Sequence, residues 1–181
     1  MNELIAKIEQ WANDRNIIKG SKPIDQAMKL FSEFGELADN VGKGRDCRDD
    51  IGDVFVVLTI MAKQLGHSTM ENHDIDLWNE NQVEITLKDR VVLLSEKLTE
   101  FCFDAREGDV FHMVFDAVIS QLKTIAIKSG TTLEECVQIA YDDISKRQGI
   151  LWNGVFVKNT DENFNEIKSL FEKSIENNLS I

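Results

Sequence analysis

Glu33 and Glu36 stand three residues apart, and Asp50 and Asp53 repeat that spacing further along the chain. On a helix, side chains at i and i+3 are neighbours on one face. Two antiparallel helices joined by a short loop would therefore bring both acidic pairs together. Four clustered carboxylates repel one another unless a hard cation neutralises them, and oxygen ligands of this kind suit Mg²⁺ or Mn²⁺. The chemistry on offer is divalent-cation binding.

Acidic pairs at helical spacing more commonly mark a solvated face, and the segment around Asp53 argues against that reading. On a wheel turning roughly 100° per residue, Asp53 falls between Ile60 and Val57, and Asp50 between Val57 and Met61. Val54, Phe55, Leu58 and Ala62 fill the opposite side. The segment is apolar nearly all round, so its carboxylates cannot all face open water. A buried unpaired carboxylate costs on the order of several kcal/mol or changes its pKa. Coordination to a metal removes that cost.

The other polar candidates are more ambiguous. Lys43, Arg45 and Arg48 form a basic stretch between the acidic pairs, read as solvated loop charge or as phosphate contacts. Trp11 falls in the apolar stripe of the first helix and reads as core, with a nucleobase wall as the alternative. His67, His73 and His112 show no ligand spacing and read as surface or packing residues. No glycine-rich phosphate loop, Walker motif or serine triad occurs.

Helices must position these groups. Apolar residues Leu4, Ile5, Ile8, Trp11 and Ala12 predict a helix over 2–14, followed by a connector over 15–22. Pro23 suits a first helical turn. A helix over 23–41 then carries the stripe Ala27, Leu30, Phe31, Phe34, Leu37, Ala38 and Val41, ended by Gly42-Lys43-Gly44. A third helix is expected from Asp46 or Arg48 to Leu65. Residues 67–85 read as polar and irregular apart from Trp78, and two further helices are expected at 86–106 and 109–129. Thr132 and Glu135 form a capping-box pair that opens a helix running to Arg147. Asn153-Gly154 between short apolar runs signals a hairpin, with Trp152 and Phe156 expected to pack it against the bundle or a second subunit. A charged amphipathic helix over 161–178, loosely docked, closes the pattern.

The stretches 32–66 and 95–130 echo one another, with Glu33 falling near Glu96 and Asp53 near Asp116. Either two amphipathic helix pairs simply look alike, or the second is a decayed duplicate packing on the first. The fold expected is all-α, a helical bundle with a short C-terminal hairpin. It forms a single domain over 1–181, with core segments 1–66 and 131–158, a helical insertion or decayed repeat over 67–130, and a C-terminal helix over 161–178.

Composition narrows the partners. Of 181 residues, 32 are acidic and 20 are Lys or Arg, a formal charge of −12 that repels nucleic acid and anionic membranes. A polyphosphate remains compatible, because a bound divalent cation reverses the local field. Cys47, Cys102 and Cys136 contain no CxxC pair, which argues against a disulfide framework or zinc site and fits a reducing cytosol. The most apolar run, 51–65, is too short to span a bilayer. A soluble, cytoplasmic protein is expected.

The pattern Glu33-x-x-Glu36, a spacer, then Asp50-x-x-Asp53 resembles the ExxE…ExxD signature of the MazG-like, all-α nucleoside triphosphate pyrophosphohydrolases. The opening IEQWANDRNIIKGSKPIDQAMKLFSEFGELADNVGKG and the closing TTLEECVQIAYDDISKRQGILWNGVFVK are similar to small MazG-like proteins of phages and bacteria. The core segments 1–66 and 131–158 in which they lie cover just over half of the chain. The resemblance implies a helical bundle in which Mg²⁺, with Mn²⁺ as substitute, binds a nucleoside triphosphate and supports its hydrolysis to monophosphate and pyrophosphate. Glu33, Glu36 and Asp53 are the implied catalytic and metal-binding residues, joined by Asp50 as a ligand, and one of the glutamates is an alternative general base. The family usually has Glu where this chain has Asp50, which shortens one ligand arm, and Asp49 is an adjacent alternative. On the late helix Asp142 stands at the family's Asn position and Ser145 at a Lys, while Arg147 is retained. The implied substrate contacts are Arg147, Lys43, Asp142 and Trp11. The family also implies a homo-oligomer, dimer or tetramer, unless the second helix pair completes the bundle within one chain. A non-catalytic nucleotide- or protein-binding regulator that keeps the fold is the alternative function, and a purely structural helical module is a further one.

Overall fold

The computed structural model describes residues 1–67, 85–108 and 112–178. Helix α1 (Asn2–Asp14) leads through Asn16, in the left-handed region at φ 57°, into the single turn α2 (Ile17–Gly20). The expected connector over 15–22 thus contains a turn of helix. Helix α3 (Pro23–Lys43) has proline in its first turn, and the Asp25 side chain accepts the Lys22 N–H at 2.8 Å. It ends at Gly44, whose φ of 67° suits a residue without a Cβ. Helix α4 (Arg48–Gln64) follows after a short turn.

Helices α5 (Leu87–Glu107) and α6 (His112–Lys128) occupy the two expected segments. Helix α7 (Leu133–Ile144) opens on the predicted capping box. Thr132 Oγ1 accepts the Glu135 N–H at 3.2 Å, and the Glu135 carboxylate accepts the Thr132 N–H at 3.2 Å. Thr132→Ala is expected to cost about 1 kcal/mol and to lower the melting temperature by roughly 2–4 °C, a shift thermal unfolding would measure.

Strands β1 (Gly149–Trp152) and β2 (Val155–Lys158) pair antiparallel, Gly149 opposite Lys158 and Trp152 opposite Val155. Asn153 and Gly154 have φ of 48° and 79°, the two positive values a tight two-residue hairpin turn requires. Helix α8 (Phe164–Asn178) packs on this hairpin, where Phe171 meets Trp152 edge-on at 6.1 Å. Most of its side chains are exposed, in keeping with loose docking. The fold is mostly helical, with one small sheet.

Helix α4 is the hub. It contacts α1, α2, α3, α6 and α7, most extensively α7, and from Val54 to Ala62 every residue is buried. That is the physical meaning of its all-round apolar sequence: a helix with neighbours on every side needs no polar face. Around it, α3 packs on α5, α5 on α6 and α6 on α7. Gly52 permits the tightest of these contacts, because a Cβ there would overlap the Cys136 carbonyl oxygen and lie 2.7 Å from the Ala140 Cβ on α7.

Three expectations need correction. Phe31, placed on the core stripe of α3, is 37% exposed and lies with Ile24 and Met28 on the outer face; the apolar pattern is wider than the surface its neighbours cover. Helix α7 stops at Ile144 rather than Arg147, because Lys146 N and Arg147 N bond back three residues to Asp143 O and Ile144 O, closing tighter turns. Helix α8 begins at Phe164 rather than 161, after a turn in which Asp161 accepts the Lys158 N–H at 2.8 Å. The stretch expected to be irregular, with His73 and Trp78, lies outside the described residues over 68–84, as do 109–111 of the expected break, whereas Gly108 of that break ends α5 at a φ of 80°. Among the described residues no helix is long and apolar enough to cross a membrane.

Candidate metal and phosphate site

The short turn between α3 and α4 sets these helices side by side, with Glu33 of α3 near enough to Asp49, Asp50 and Asp53 of α4 for their charges to interact. Glu33 is buried, 6% exposed, although it is a carboxylate. It survives there because Lys29, one turn earlier on α3, ion-pairs with it. Asp53 is half-buried on α4. Burial first, then the Glu33 and Asp49 carboxylates, push its pKa up to about 7, against the pull of Arg147 and Lys29.

Asp49 and Asp50 precede Asp53 in the first turns of α4. Burial raises the Asp49 pKa, with Asp143 adding to it, Arg147 opposing, and Glu33 contributing further. Burial also raises Asp50, but Asn40 donates a hydrogen bond to its Oδ2 at 2.8 Å and works the other way. Asp50 is half-buried, whereas Asp49 at the start of α4 and Glu36 on α3 are exposed. The acids around Asp53 are therefore Glu33 and Asp49, with Asp50 turned toward Asn40.

Arg147 reaches this group from the segment after α7. Its Nη2 donates to Asp143 Oδ2 at 2.5 Å. Burial pulls its pKa down, but that bond and the charges of Asp143, Asp53 and Glu33 outweigh burial and raise it. The Arg147 carbonyl is in turn fixed by Arg15 Nε at 2.8 Å, so the end of α1 anchors the residue from behind. Trp11, which packs half-buried against the core, stacks under the Arg15 guanidinium at 5.0 Å. Its buried Nε1 has no hydrogen-bond partner among the described residues.

The remaining candidates engage other partners. Lys43 ion-pairs with Asp39 at 2.6 Å and Arg48 with Asp46 at 2.6 Å, all exposed. Asp142 is exposed and accepts a hydrogen bond from Gln138 at 2.7 Å. Ser145 Oγ donates to the Asp142 carbonyl oxygen at 3.2 Å. All three cysteines are free and buried, and burial lifts Cys102 and Cys136 to about 11, which keeps them as inert thiols.

The donor chemistry is of the kind a hard divalent cation takes: the groups are carboxylates, three of them, Asp49, Asp50 and Asp53, disfavoured as anions by desolvation, with the Lys29 ammonium paired to the most buried one, Glu33. Their arrangement is not that of a finished centre. Among the described residues no group of three or more His, Cys, Asp or Glu side chains is set to hold a metal ion. Sequence reasoning passed over Lys29, Asn40, Asp143 and Arg15. Lys29–Glu33 and Asp143–Arg147 are i,i+4 pairs of opposite charge, a signal readable without coordinates, whereas the Asn40 and Arg15 contacts depend on the fold.

Comparison with known proteins yields a phage relative. The chain is 50% identical over 66 residues to an uncharacterized 18.2 kDa protein of the rep-hol intergenic region of Haemophilus phage HP1. The likeness spans 35% of this chain and 40% of the phage protein, so well under two thirds of that relative is covered. No family model matches the chain, and no solved structure matches it.

Proposed function

We propose that this chain is a Mg²⁺-dependent nucleoside triphosphate pyrophosphohydrolase of the MazG-like kind, acting on the nucleotide pool in a phage setting. The observation that carries the reading is the grouping of Glu33, Asp49 and Asp53 from α3 and α4 with Arg147 beyond α7, near enough for their charges to act on one another, with Glu33 buried and Asp53 half-buried. In this reading Glu33, Glu36, Asp50 and Asp53 would hold the metal, with Asp49 beside them. When bound, the metal offsets triphosphate charge and makes the attacking water easier to deprotonate.

The chain's own residues supply the rest. Glu36, exposed beside the buried Glu33, is open to solvent and suited to orienting a water. Arg147, held from behind by Arg15, offers a planar guanidinium to a phosphate on leaving Asp143. The overall charge of −12 keeps long nucleic acids away while a metal-bound small polyphosphate is still accepted.

Purified protein with Mg²⁺ is expected to release pyrophosphate from at least one member of a panel of ordinary and modified nucleoside triphosphates. Glu36→Gln should reduce that release by two orders of magnitude or more, on the order of a lost catalytic acid–base or metal contact. Undiminished turnover in Glu36→Gln would remove the assignment. A non-catalytic regulator is favoured by one observation, the absence of a finished three-ligand arrangement among the described residues. It predicts nucleotide and metal binding with no pyrophosphate released from any nucleotide.

A further inference from the structure

The Arg147 side chain is exposed, yet both polar groups of its backbone are fixed. Its N–H bonds back to Ile144 O at 2.9 Å, and its carbonyl oxygen accepts Arg15 Nε at 2.8 Å. The second contact crosses from the end of α1 to the connector between α7 and β1. Arg15 is itself held from two sides: Nη1 donates to Trp11 O at 3.1 Å, and the guanidinium lies over the Trp11 ring at 5.0 Å. Its sequence neighbour Asp14 accepts a hydrogen bond from Gln10 at 2.6 Å. Partial burial lowers the Arg15 pKa, so this guanidinium is desolvated while its donors go to backbone carbonyls. The same corner also grips the hairpin, since Leu151 N donates to Arg15 O at 2.8 Å and Asn16 Nδ2 to Leu151 O at 3.0 Å. Those two bonds hold β1, whereas the Arg15 side chain holds Arg147.

We propose that Arg15 is a positioning residue, which sets Arg147 in place to receive the polyphosphate of the substrate. This rests on the reading of Arg147 as a phosphate contact given above. The Arg147 side chain, about half exposed and paired with Asp143, is long and rotatable. Ordering such a side chain on a bound phosphate costs affinity, and a backbone already fixed at N–H and carbonyl leaves less freedom to be lost. Arg15 acts through the Arg147 carbonyl and does not touch the substrate.

Isothermal titration of the full chain with inorganic triphosphate, supplied as its Mg²⁺ complex, tests this apart from turnover. Arg15→Met keeps an apolar stem over Trp11 and removes the donors. It is expected to weaken triphosphate binding about five- to twenty-fold, the scale of one lost charge-assisted hydrogen bond. In the pyrophosphate-release assay KM should rise by a similar factor, with kcat within about two-fold. Arg147→Gln should weaken binding at least as much, and adding Arg15→Met to it should change little further. Asn16→Gly suits the left-handed corner at φ 57° and removes only the side-chain bond to Leu151. It should lower the melting temperature and leave triphosphate affinity unchanged. Unchanged affinity in Arg15→Met, additive losses in the double variant, or equal losses in Arg15→Met and Asn16→Gly would each overturn the positioning role and leave Arg147 as a phosphate contact. Unchanged affinity in Arg147→Gln, or no triphosphate binding by the unaltered chain, would overturn the phosphate contact and the positioning role together.

Discussion

Asp53→Asn is expected to raise the melting temperature of the EDTA-treated protein at pH 8 while abolishing pyrophosphate release. The Asp53 carboxyl, ordinarily near 3.8, is pushed to about 7 by burial and by Glu33 and Asp49. Between these values the folded chain holds a proton that the unfolded chain has released. Stability from this group is therefore fully present below pH 3.8, falls as pH rises, and is gone above about 7. Taken whole, the shift corresponds to about 4 kcal/mol, but solvent screening at a half-exposed carboxylate brings the expected gain down to roughly 1–2 kcal/mol. For a chain of this size that is about 3–6 °C.

Asparagine carries no titrating proton, so the difference between variant and unaltered protein should shrink to nothing below about pH 4. Mg²⁺ should reverse the ranking, stabilising the unaltered protein more than the variant, since the cation favours the charged carboxylate. Thermal melts from pH 4 to 8, with EDTA or Mg²⁺, would read all of this. Parallel pH profiles for the two proteins in EDTA would show that Asp53 is not a strained anion.

Gly52→Ala is expected to destabilise the protein by roughly 2–4 kcal/mol, and Gly52→Val to prevent folding. A Cβ at this position would overlap the Cys136 carbonyl oxygen and crowd the Ala140 Cβ. The obstacle is backbone of α7, which cannot rotate away as a flexible side chain would. Relief requires α4 and α7 to separate, across the most extensive helix contact in the fold. Gly35→Ala on α3 is the control, since a Cβ there meets nothing within 4 Å. It should be neutral or stabilising by up to about 1 kcal/mol from helix propensity alone. Chemical denaturation would measure both, and similar effects at the two glycines would contradict the close α4–α7 approach. Because Gly52 directly precedes Asp53, separation of these helices would also move the candidate site away from Arg147.

Local signals in the sequence were enough to place the long helices and the hairpin, though not the single turn α2 within the expected connector. Thr132 and Glu135 marked a helix start, Asn153-Gly154 marked a hairpin, and the apolar repeats marked seven long helices, because caps, turns and helix periodicity depend on residues close in the chain. The all-round apolar character of α4 likewise foretold a helix enclosed by others, with its carboxylates short of water.

What lay beyond the sequence was decided by contacts between distant segments. Phe31 follows the same periodicity as Leu30 and Leu37 yet faces outward, since only the packing of α4 and α5 fixes how much of α3 is covered. Spacing treated Glu33 with Glu36, and Asp50 with Asp53, as equal partners. Tertiary structure separates them: Glu33 is buried under Lys29, Glu36 is exposed, Asp50 turns to Asn40, and Asp49 rather than Asp50 bears on Asp53. The sequence by itself determined which residues could gather charge, because residue type and helical period are local properties. Only the tertiary structure decided which of those charges are enclosed and which cation reaches each of them, because desolvation and Coulomb energy depend on everything packed nearby.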